Sequence, residues 1–196
     1  MIAALFVETN GVYFGLPDVD PWDEARDARK YDGPWPVVAH PPCGPWGIMR
    51  HLCSKQDPSC GPSAVASVRK WGGLLEHPAH STLFRHCRMP LPGELPDEFG
   101  GHTFEVEQVH WGHPCSKPTW LYGVGLNWSR VALTRRWSGG KPTHRVTSGP
   151  RGPTLPSASA KVRRATPPAF AEWLIDLVGE LPNAQEATPP TACAHD

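Results

Sequence analysis

The sequence lacks the long apolar segments that would place it in a membrane or in the secretory pathway. It has no run of about 18 apolar residues, so we expect no transmembrane helix and no membrane partner. Its first residues form neither a basic stretch nor a long apolar segment, so we expect no signal peptide. Six cysteines without a secretory signal are then typical of reduced thiols in a cytoplasm.

Acidic residues are missing from one long segment. The chain has 19 basic and 19 acidic residues, but between Ser116 and Ala171 it has ten Lys or Arg and no Asp or Glu. A segment with charge of one sign is typical of a surface that binds a polyanion such as DNA. A solvated basic face is the alternative interpretation. The candidate nucleic-acid-binding residues are Arg130, Arg135, Arg136, Lys141 and Arg145.

Closely spaced cysteine pairs are also missing, which argues against structural zinc. His51, Cys53 and Cys60 lie near one another in sequence, and two further groups of His and Cys follow. Structural zinc sites usually contain a Cys-x(2–4)-Cys pair, and this chain has none. We therefore predict no metal site and keep a zinc-stabilised nucleic-acid binder as a less favoured alternative.

Proline and glycine are abundant, with 24 and 19 residues, which predicts long loops and few helices. Short apolar segments alternate with helical patterns and favour an α/β sheet in a single domain over residues 1–182. Within it, residues 126–165 are expected to be basic and irregular. Thr166 as cap and Pro167 at the first position predict a C-terminal helix, and residues 183–196 predict a disordered tail.

Local patterns predict the elements of the N-terminal half. Asn10-Gly11 lies between two apolar segments and predicts a β-hairpin. Residues 20–33 predict a short helix that begins at Asp20 with Pro21 at its first position. Residues 37–39 predict a buried strand, and residues 60–73 predict a helix closed by two glycines.

Two reactive side chains each follow a short apolar strand. The segment PVVAHPPCGPWG presents Cys43 after a strand and two prolines, and GGLLEHP presents Glu76 after Leu74-Leu75. Functional groups gather at the carboxyl ends of strands in α/β sheets, so we expect Cys43 and Glu76 to converge. A packed, inert thiol and a carboxylate that caps a strand end are the alternatives.

Such a pair suits one reaction on a pyrimidine ring. A thiolate adds to C6 while a carboxyl group hydrogen-bonds the ring edge at N3, and C5 becomes nucleophilic toward an electrophilic carbon. The thiolate is the reactive form, so the site must lower the pKa of Cys43 or pair the thiol with a base. The target base must also leave a duplex to enter such a pocket.

Four segments resemble, in the same order, motifs of the DNA cytosine-C5 methyltransferases. AHPPCGPW resembles their Pro-Cys nucleophile loop, and LLEHP resembles their Glu-Asn-Val segment. EQVHWGHPCSKPTWLYGVG is similar to their Gln-x-Arg-x-Arg region, and RRATPPAFAEWLIDLV is similar to the motif before their final helix. The short methylase-like proteins common in phage genomes are especially similar, since they share AHPPC and a GHP segment followed by Lys.

The resemblance implies a compact, Rossmann-like methyltransferase-type sheet that is shortened at its N-terminus and rich in loops. It also implies S-adenosylmethionine as methyl donor and DNA as substrate, in the cytoplasm of a bacterial host cell. Cys43 would be the nucleophile, Glu76 the acid at N3 and Lys117 an electrostatic helper. The implied cofactor-binding residues are Phe6, Gly11, Asp20, Pro41 and Thr166.

The chain also departs from the family pattern. The first motif is compressed, Lys117 and Thr119 stand at the two Arg positions of the third motif, and Cys115 stands at its Gln position. No segment is long enough for a target-recognition domain. Two alternatives follow: the same core acts on a pyrimidine C5 with another donor, or a catalytically degenerate protein keeps only DNA binding or a partner interaction. The sequence leaves the oligomeric state open.

Overall fold

The computed structural model describes residues 1–48, 50–52, 56–146 and 155–181. Six strands form one mixed sheet: β1 (Ile2–Leu5), β2 (Val19–Trp22), β3 (Val37–Ala39), β4 (Gly73–Pro78), β5 (His102–Glu107) and β6 (Pro118–Val124). Within the described residues, five α-helices accompany them: α1 (Cys60–Trp71), α2 (Leu83–His86), α3 (Trp128–Thr134), α4 (Ala160–Arg164) and α5 (Pro168–Val178). The tail predicted over residues 183–196 lies outside the described residues. No helix in the described part of the chain is long and apolar enough to cross a bilayer.

The strand order places several strand ends at one edge of the sheet. The order is β2-β1-β3-β4-β6-β5, in which β1 to β4 are parallel and β6 is antiparallel to both of its neighbours. The chain therefore runs outward from β1 in both directions, which creates a topological switch point between β1 and β3. The carboxyl ends of β1 to β5 and the start of β6 meet at the same edge. The predicted α/β class is confirmed, and the sheet is compatible with a Rossmann-like fold.

Buried apolar side chains cover both faces of the sheet. On one face Phe170 and Leu174 of α5 pack in a cluster with Leu74 of β4, and all three are fully buried. On the other face Val68 of α1 packs in a cluster with Leu75. Strands covered on both faces read as continuous apolar segments, which explains why β1 and β3 carry no polar side chain.

Two glycines set the junction between α1 and β4. Gly72 ends the helix with φ of +74°, as the pattern over residues 60–73 predicts. At Gly73, φ is +114° and a Cβ would lie 2.0 Å from the Val37 carbonyl oxygen, so a larger residue would push β3 and β4 apart. Glycine at this position allows the two strands that carry the reactive residues to pair closely.

The β-hairpin predicted at Asn10-Gly11 is wrong. The chain continues into a 3₁₀ turn over Val12–Gly15, and β1 pairs in parallel with β2. The turn buries the Tyr13 side chain, which is 3% exposed and packs in the α5-side cluster. Burial of this large side chain outweighs the local preference of Asn-Gly for a tight hairpin turn.

The helix predicted over residues 20–33 is also wrong. Its first three residues belong to strand β2, and the rest contains only a 3₁₀ turn at Ala28–Lys30. β2 is an edge strand, where the missing N–H of Pro21 is tolerated. The pairing of β2 with β1 therefore replaces the helix that Asp20-Pro21 favours locally.

The C-terminal third is more regular than its basic composition predicts. Residues 126–165 contain α3 and α4 as well as loops. The terminal helix is present, but it begins at Pro168 with Pro167 in the cap position, so the prediction that Thr166 caps it is wrong. The apolar stripe of α5 is buried as predicted.

His77 is an unusual core residue because it is fully buried beside the reactive edge. It lies in β4, and neither ring nitrogen has a hydrogen-bond partner among the described residues. Burial lowers the pKa of His77 to about 4, although the charge of Glu76 acts in the opposite direction. The folded protein therefore holds a neutral imidazole near pH 6, where an unfolded chain would begin to protonate it.

We predict that His77 makes the protein sensitive to mild acid. The folded-state pKa lies below the unfolded value, so the unfolded chain binds more protons and stability falls as the pH decreases from 6.5 to 4. The expected loss over this window is about 3 kcal/mol. Urea unfolding at several pH values measures it, and His77→Leu should flatten this part of the profile. An unchanged profile in the variant would contradict the assignment.

Candidate active site

A cavity of about 1260 Å³ opens at the carboxyl edge of the sheet. Its wall includes residues that follow β1, β2 and β3, the end of β4, and the residues just before β6. Cys43, Glu76 and Lys117 all line it. The structure therefore brings together the three residues that the sequence analysis selected for catalysis. Lys117 joins them because β6 is antiparallel and begins where the parallel strands end.

The loop after β3 holds Cys43 by main-chain contacts. The Cys43 carbonyl accepts hydrogen bonds from the N–H groups of Trp46 and Gly47 at 3.1 and 2.8 Å, which closes a tight turn. The next N–H, at Gly44, donates to the Gln56 side chain at 2.9 Å. Two prolines precede the cysteine and restrict the backbone further. The residue is exposed and borders the cavity.

Both carboxylate oxygens of Glu76 are hydrogen-bonded by side chains. The Gln108 amide donates to Oε1 at 2.8 Å, and Nδ1 of His40 lies 3.1 Å from Oε2. The same Gln108 amide nitrogen donates to the Thr119 hydroxyl at 2.9 Å. Glu76 is 8% exposed and Gln108 is fully buried. This network fixes the carboxylate in one orientation at the edge of the cavity.

Tyr13 determines the tautomer of His40. Its hydroxyl lies 2.6 Å from Nε2 of His40. Burial raises the pKa of Tyr13 well above its ordinary value, and the charge of Glu76 raises it further, so the hydroxyl keeps its proton. The Tyr13 hydroxyl donates a hydrogen bond to Nε2 of His40, and the Nδ1–H of the ring then donates to Glu76. Tyr13, His40 and Glu76 form a directed chain of hydrogen bonds.

Glu76 is ionised in this environment. Burial acts to raise its pKa, but the positive charge of Lys117 and the hydrogen bond from His40 lower it to about 2. Lys117 acts at a distance, since its Nζ donates to the Ala165 carbonyl at 3.3 Å and it forms no ion pair among the described residues. The carboxylate is therefore an acceptor at neutral pH and carries no proton to donate.

The protein does not activate the Cys43 thiol. Although the residue is exposed to solvent, the protein atoms around its thiol raise the pKa above the ordinary thiol value, and the negative charge of Glu76 raises it further. Lys117 and Arg164 act in the opposite direction but only partly offset these effects. Of the two alternatives that the sequence analysis gave, a lowered Cys43 pKa is not found, so the proposed chemistry requires the other, pairing of the thiol with a base. The physical reason for the raised pKa is the surrounding protein atoms together with the proximity of the buried carboxylate.

Four of the five predicted cofactor-binding residues line the cavity, and one does not. Phe6, Gly11, Pro41 and Thr166 form part of the wall. Asp20 does not line it, because it lies inside β2, where it pairs with Arg26 and accepts from the Trp22 indole at 2.8 Å. The structure therefore does not bring Asp20 to this cavity, since an acid must lie past the strand to reach this edge.

Three other acidic residues lie on the cavity wall just past the first two strands. Asp23 and Glu24 follow β2, and Glu8 follows β1; all three line the cavity. Asp23 is 6% exposed and accepts a hydrogen bond from Thr9 at 2.7 Å. Phe6, the first residue of this wall after β1, has φ of +58°, a conformation that costs a non-glycine residue on the order of 1 kcal/mol.

None of the five predicted nucleic-acid-binding residues lines this cavity. Arg130 is bound to Asp176 and Glu180 of the α5 region and lies at the opposite edge of the sheet, beside Met1 and Pro36. The structure therefore places Arg130 away from the cavity, in contact with two carboxylates, and its assignment to a DNA surface stays a prediction. Three of the others are held by local contacts: Arg135 stacks on Trp137 at 3.8 Å, Arg136 donates to the His110 carbonyl, and Arg145 donates to Ser157. Lys141 is exposed.

The basic residues on the cavity wall belong instead to α4. Lys161, Arg163 and Arg164 line it together with Lys117. They come from the same acid-free segment, but sequence alone did not separate them from the others. Sequence reasoning also missed Tyr13, His40 and Gln108. His40 was detectable as the residue directly before Pro-Pro-Cys, whereas no local signal identifies Tyr13.

Comparison with protein-family models and with curated proteins finds no match to this chain. Among the described residues, no group of three or more His, Cys, Asp or Glu side chains is arranged to hold a metal ion. Cys53, which the zinc alternative used, lies outside the described residues. The molecule is thus defined at the level of class, as an α/β protein with a cavity at the switch point of a mixed sheet.

We predict that Cys43 reacts with alkylating agents as an unactivated thiol. The iodoacetamide rate, followed by peptide mass spectrometry, should rise with pH with an apparent pKa above that of an ordinary thiol. Glu76→Gln removes a negative charge and should lower this pKa. Lys117→Met removes a positive charge and should raise it.

Glu98→Gln provides the matched control, since Glu98 is exposed and does not line the cavity. It should leave the rate profile of Cys43 unchanged. Equal profiles for Glu76→Gln and Glu98→Gln would show that Glu76 does not act on the thiol.

Proposed function

We propose that the protein modifies C5 of a pyrimidine in DNA, most simply cytosine, by methyl transfer from S-adenosylmethionine through a covalent adduct with Cys43. The observation that carries the proposal is the convergence of Cys43, Glu76 and Lys117 on one cavity at the switch point of the sheet. Ligands of open α/β sheets bind at this position. The resemblance of the Pro-Pro-Cys and Glu-His-Pro segments to the cytosine-C5 methyltransferases supports the same chemistry.

Each residue has a role that follows from its chemistry. The Cys43 sulfur, once deprotonated, bonds to C6, and the electron pair of the C5–C6 double bond moves toward C5. C5 then forms a bond to the donor carbon, whose former bond breaks with its electron pair on the leaving sulfur. Loss of the C5 proton to solvent or a base expels the Cys43 thiolate and restores the double bond.

Glu76 orients the ring by accepting a hydrogen bond from its edge. The ionised carboxylate suits the exocyclic amino group of cytosine, which is next to N3. A proton required at N3 has a route through His40, whose Nδ1 lies 3.1 Å from Glu76. Lys117 stabilises negative charge that develops on the ring and lowers the cost of a thiolate at Cys43.

The acidic wall beside β1 and β2 fits the proposed donor. S-adenosylmethionine, when bound, supplies an electrophilic methyl carbon on a sulfonium cation. Carboxylates suit its cationic groups and its ribose hydroxyls, and Glu8, Asp23 and Glu24 offer them past the first two strands. Phe6 and Val7 add apolar surface to this part of the wall.

The test of this proposal is covalent capture. Incubation with S-adenosylmethionine and a single-stranded oligonucleotide containing 5-fluorocytosine should trap an adduct, because the fluorine blocks loss of the C5 substituent. Intact-mass analysis should show the oligonucleotide on the peptide that contains Cys43. Cys43→Ser should form no adduct, whereas Cys87→Ser, which keeps Cys43, should form it. Absence of any adduct on the wild-type protein would remove the catalytic proposal.

A second candidate function is a catalytically degenerate methylase-like protein that only binds DNA. Two observations favour it: the pKa of Cys43 is raised by burial and by Glu76, and both oxygens of Glu76 already have partners. Such a protein would bind DNA through the basic residues of the cavity wall and would not modify the base.

Calorimetry with S-adenosylmethionine discriminates the two candidates. The enzyme should bind the donor with a micromolar dissociation constant, and Asp23→Asn should weaken this binding by about tenfold if that carboxylate contacts the donor, since one lost charged hydrogen bond is worth about 1.5 kcal/mol. Asp20→Asn is the matched control and should leave the affinity unchanged. The degenerate protein should bind DNA but release no heat with the donor.

A further inference from the structure

Most of the Lys and Arg residues that line the cavity belong to one short helix. Lys161, Arg163 and Arg164 of α4 border the same space as Cys43, with Lys117 beside them, whereas Arg29 lies on the other side of the cavity and is paired with Asp27 and Asp57. The three α4 cations are distinct from the Cys43–Glu76 pair, and the reaction steps above do not use them.

These cations have no ion-pair partner among the described residues, although the charge of Lys117 acts at a distance on Glu76. Among the described residues, Lys117, Lys161, Arg163 and Arg164 form no ion pair with a carboxylate, although Arg26, Arg29, Arg69 and Arg130 all do. Arg163 donates one hydrogen bond to the Ala158 carbonyl at 2.8 Å, and no carboxylate competes for it. Four unpaired cations beside one cavity repel one another unless an anion binds between them.

The helix that carries them is fixed against the wall. The Ser159 hydroxyl caps α4 by accepting from the Val162 N–H at 3.3 Å. At its other end, Lys117 donates to the Ala165 carbonyl at 3.3 Å. Upstream, the Ala158 N–H donates to the Arg145 carbonyl at 2.9 Å. The cations therefore start from an anchored backbone, which reduces the entropy lost when they bind an anion.

The opposite wall has the opposite charge. Glu8, Asp23 and Glu24 line the side near β1 and β2, where an anion would be repelled. Arg29, the one Arg on that side of the cavity among the described residues, is paired with Asp27 and Asp57. An anionic group in this cavity can therefore bind favourably only at the α4 side.

We infer that Lys161, Arg163 and Arg164 form a phosphate-binding subsite that holds the phosphate of a pyrimidine nucleotide while its base faces Cys43 and Glu76. Arg164 lies close enough to Cys43 for its charge to offset part of the rise that burial causes in the thiol pKa. A phosphate at α4 is therefore near the nucleophile. The inference rests on the proposed function for the position of the base, but the phosphate contact stands without catalysis.

The phosphate group that binds at this subsite could belong to a free nucleotide or to a nucleic-acid strand. Binding of deoxycytidine monophosphate and of a labelled 12-nucleotide single strand should be measured separately by titration. The triple variant Lys161→Gln/Arg163→Gln/Arg164→Gln should lose at least tenfold in affinity for whichever ligand the wild type binds. For the strand, the salt dependence should also weaken, with a slope smaller by about 2.

The matched control is Arg135→Gln/Arg136→Gln/Lys141→Gln, which removes the same charge from the same basic segment but outside the cavity. It should change affinity by less than threefold. The pair Lys161→Gln/Arg164→Gln is a milder version that breaks no hydrogen bond described for either side chain, and thermal unfolding verifies that each variant is folded. Loss in the control with retention in the α4 variants would overturn the inference, as would no binding of either ligand to the wild type. Retained binding without any Cys43 adduct would remove the proposed catalysis and leave the subsite in place.

Discussion

The candidate site depends on a buried carboxylate that remains ionised. Removing a carboxylate from water costs several kcal/mol unless hydrogen bonds and opposite charge replace the lost hydration. At Glu76 this replacement comes from His40, Gln108 and the more distant Lys117. Three separate segments of chain must therefore be in place for one side chain to be stable, and in this respect the site and the fold form a single unit.

The charge of Glu76 also explains why the Cys43 thiol keeps its proton at neutral pH. A negative charge beside Cys43 disfavours a second negative charge, so the thiolate is suppressed until something alters the balance. Under the proposed function, a substrate ring that donates a hydrogen bond to Glu76 would disperse its charge and so favour the thiolate. Reactivity of that kind would protect an exposed cysteine from oxidation or alkylation when no substrate is bound.

Sequence reasoning succeeded where one local pattern determines the structure. The buried strand over residues 37–39, the helix closed by Gly72 and the apolar stripe of α5 follow from periodicity and from the conformational freedom of glycine. The convergence of Cys43 and Glu76 followed from the general rule about strand ends. Sequence reasoning failed at Asn10-Gly11 and at Asp20-Pro21, where the pairing of β1 with β2 overrides strong local signals.

The members of the site that sequence missed are recognisable only in three dimensions. Tyr13 and Gln108 come from two separate 3₁₀ turns that both pack against α5, and their contacts are to residues 27 and 32 positions away. The basic residues of α4 could not be distinguished from the others in their segment until the fold showed which of them line the cavity. Charge counts identify a segment, whereas the fold decides which of its charges face a cavity.

The 3₁₀ turn over Val12–Gly15 links two parts of the cavity mechanically. Gly11 and Val12 belong to the wall proposed for the donor, and Tyr13, the next residue, holds His40 and through it Glu76. Under the proposed function, a donor that moves this turn would also change the Tyr13–His40 contact. The two parts of the cavity would then respond to each other through a single hydrogen-bonded chain that ends at Glu76.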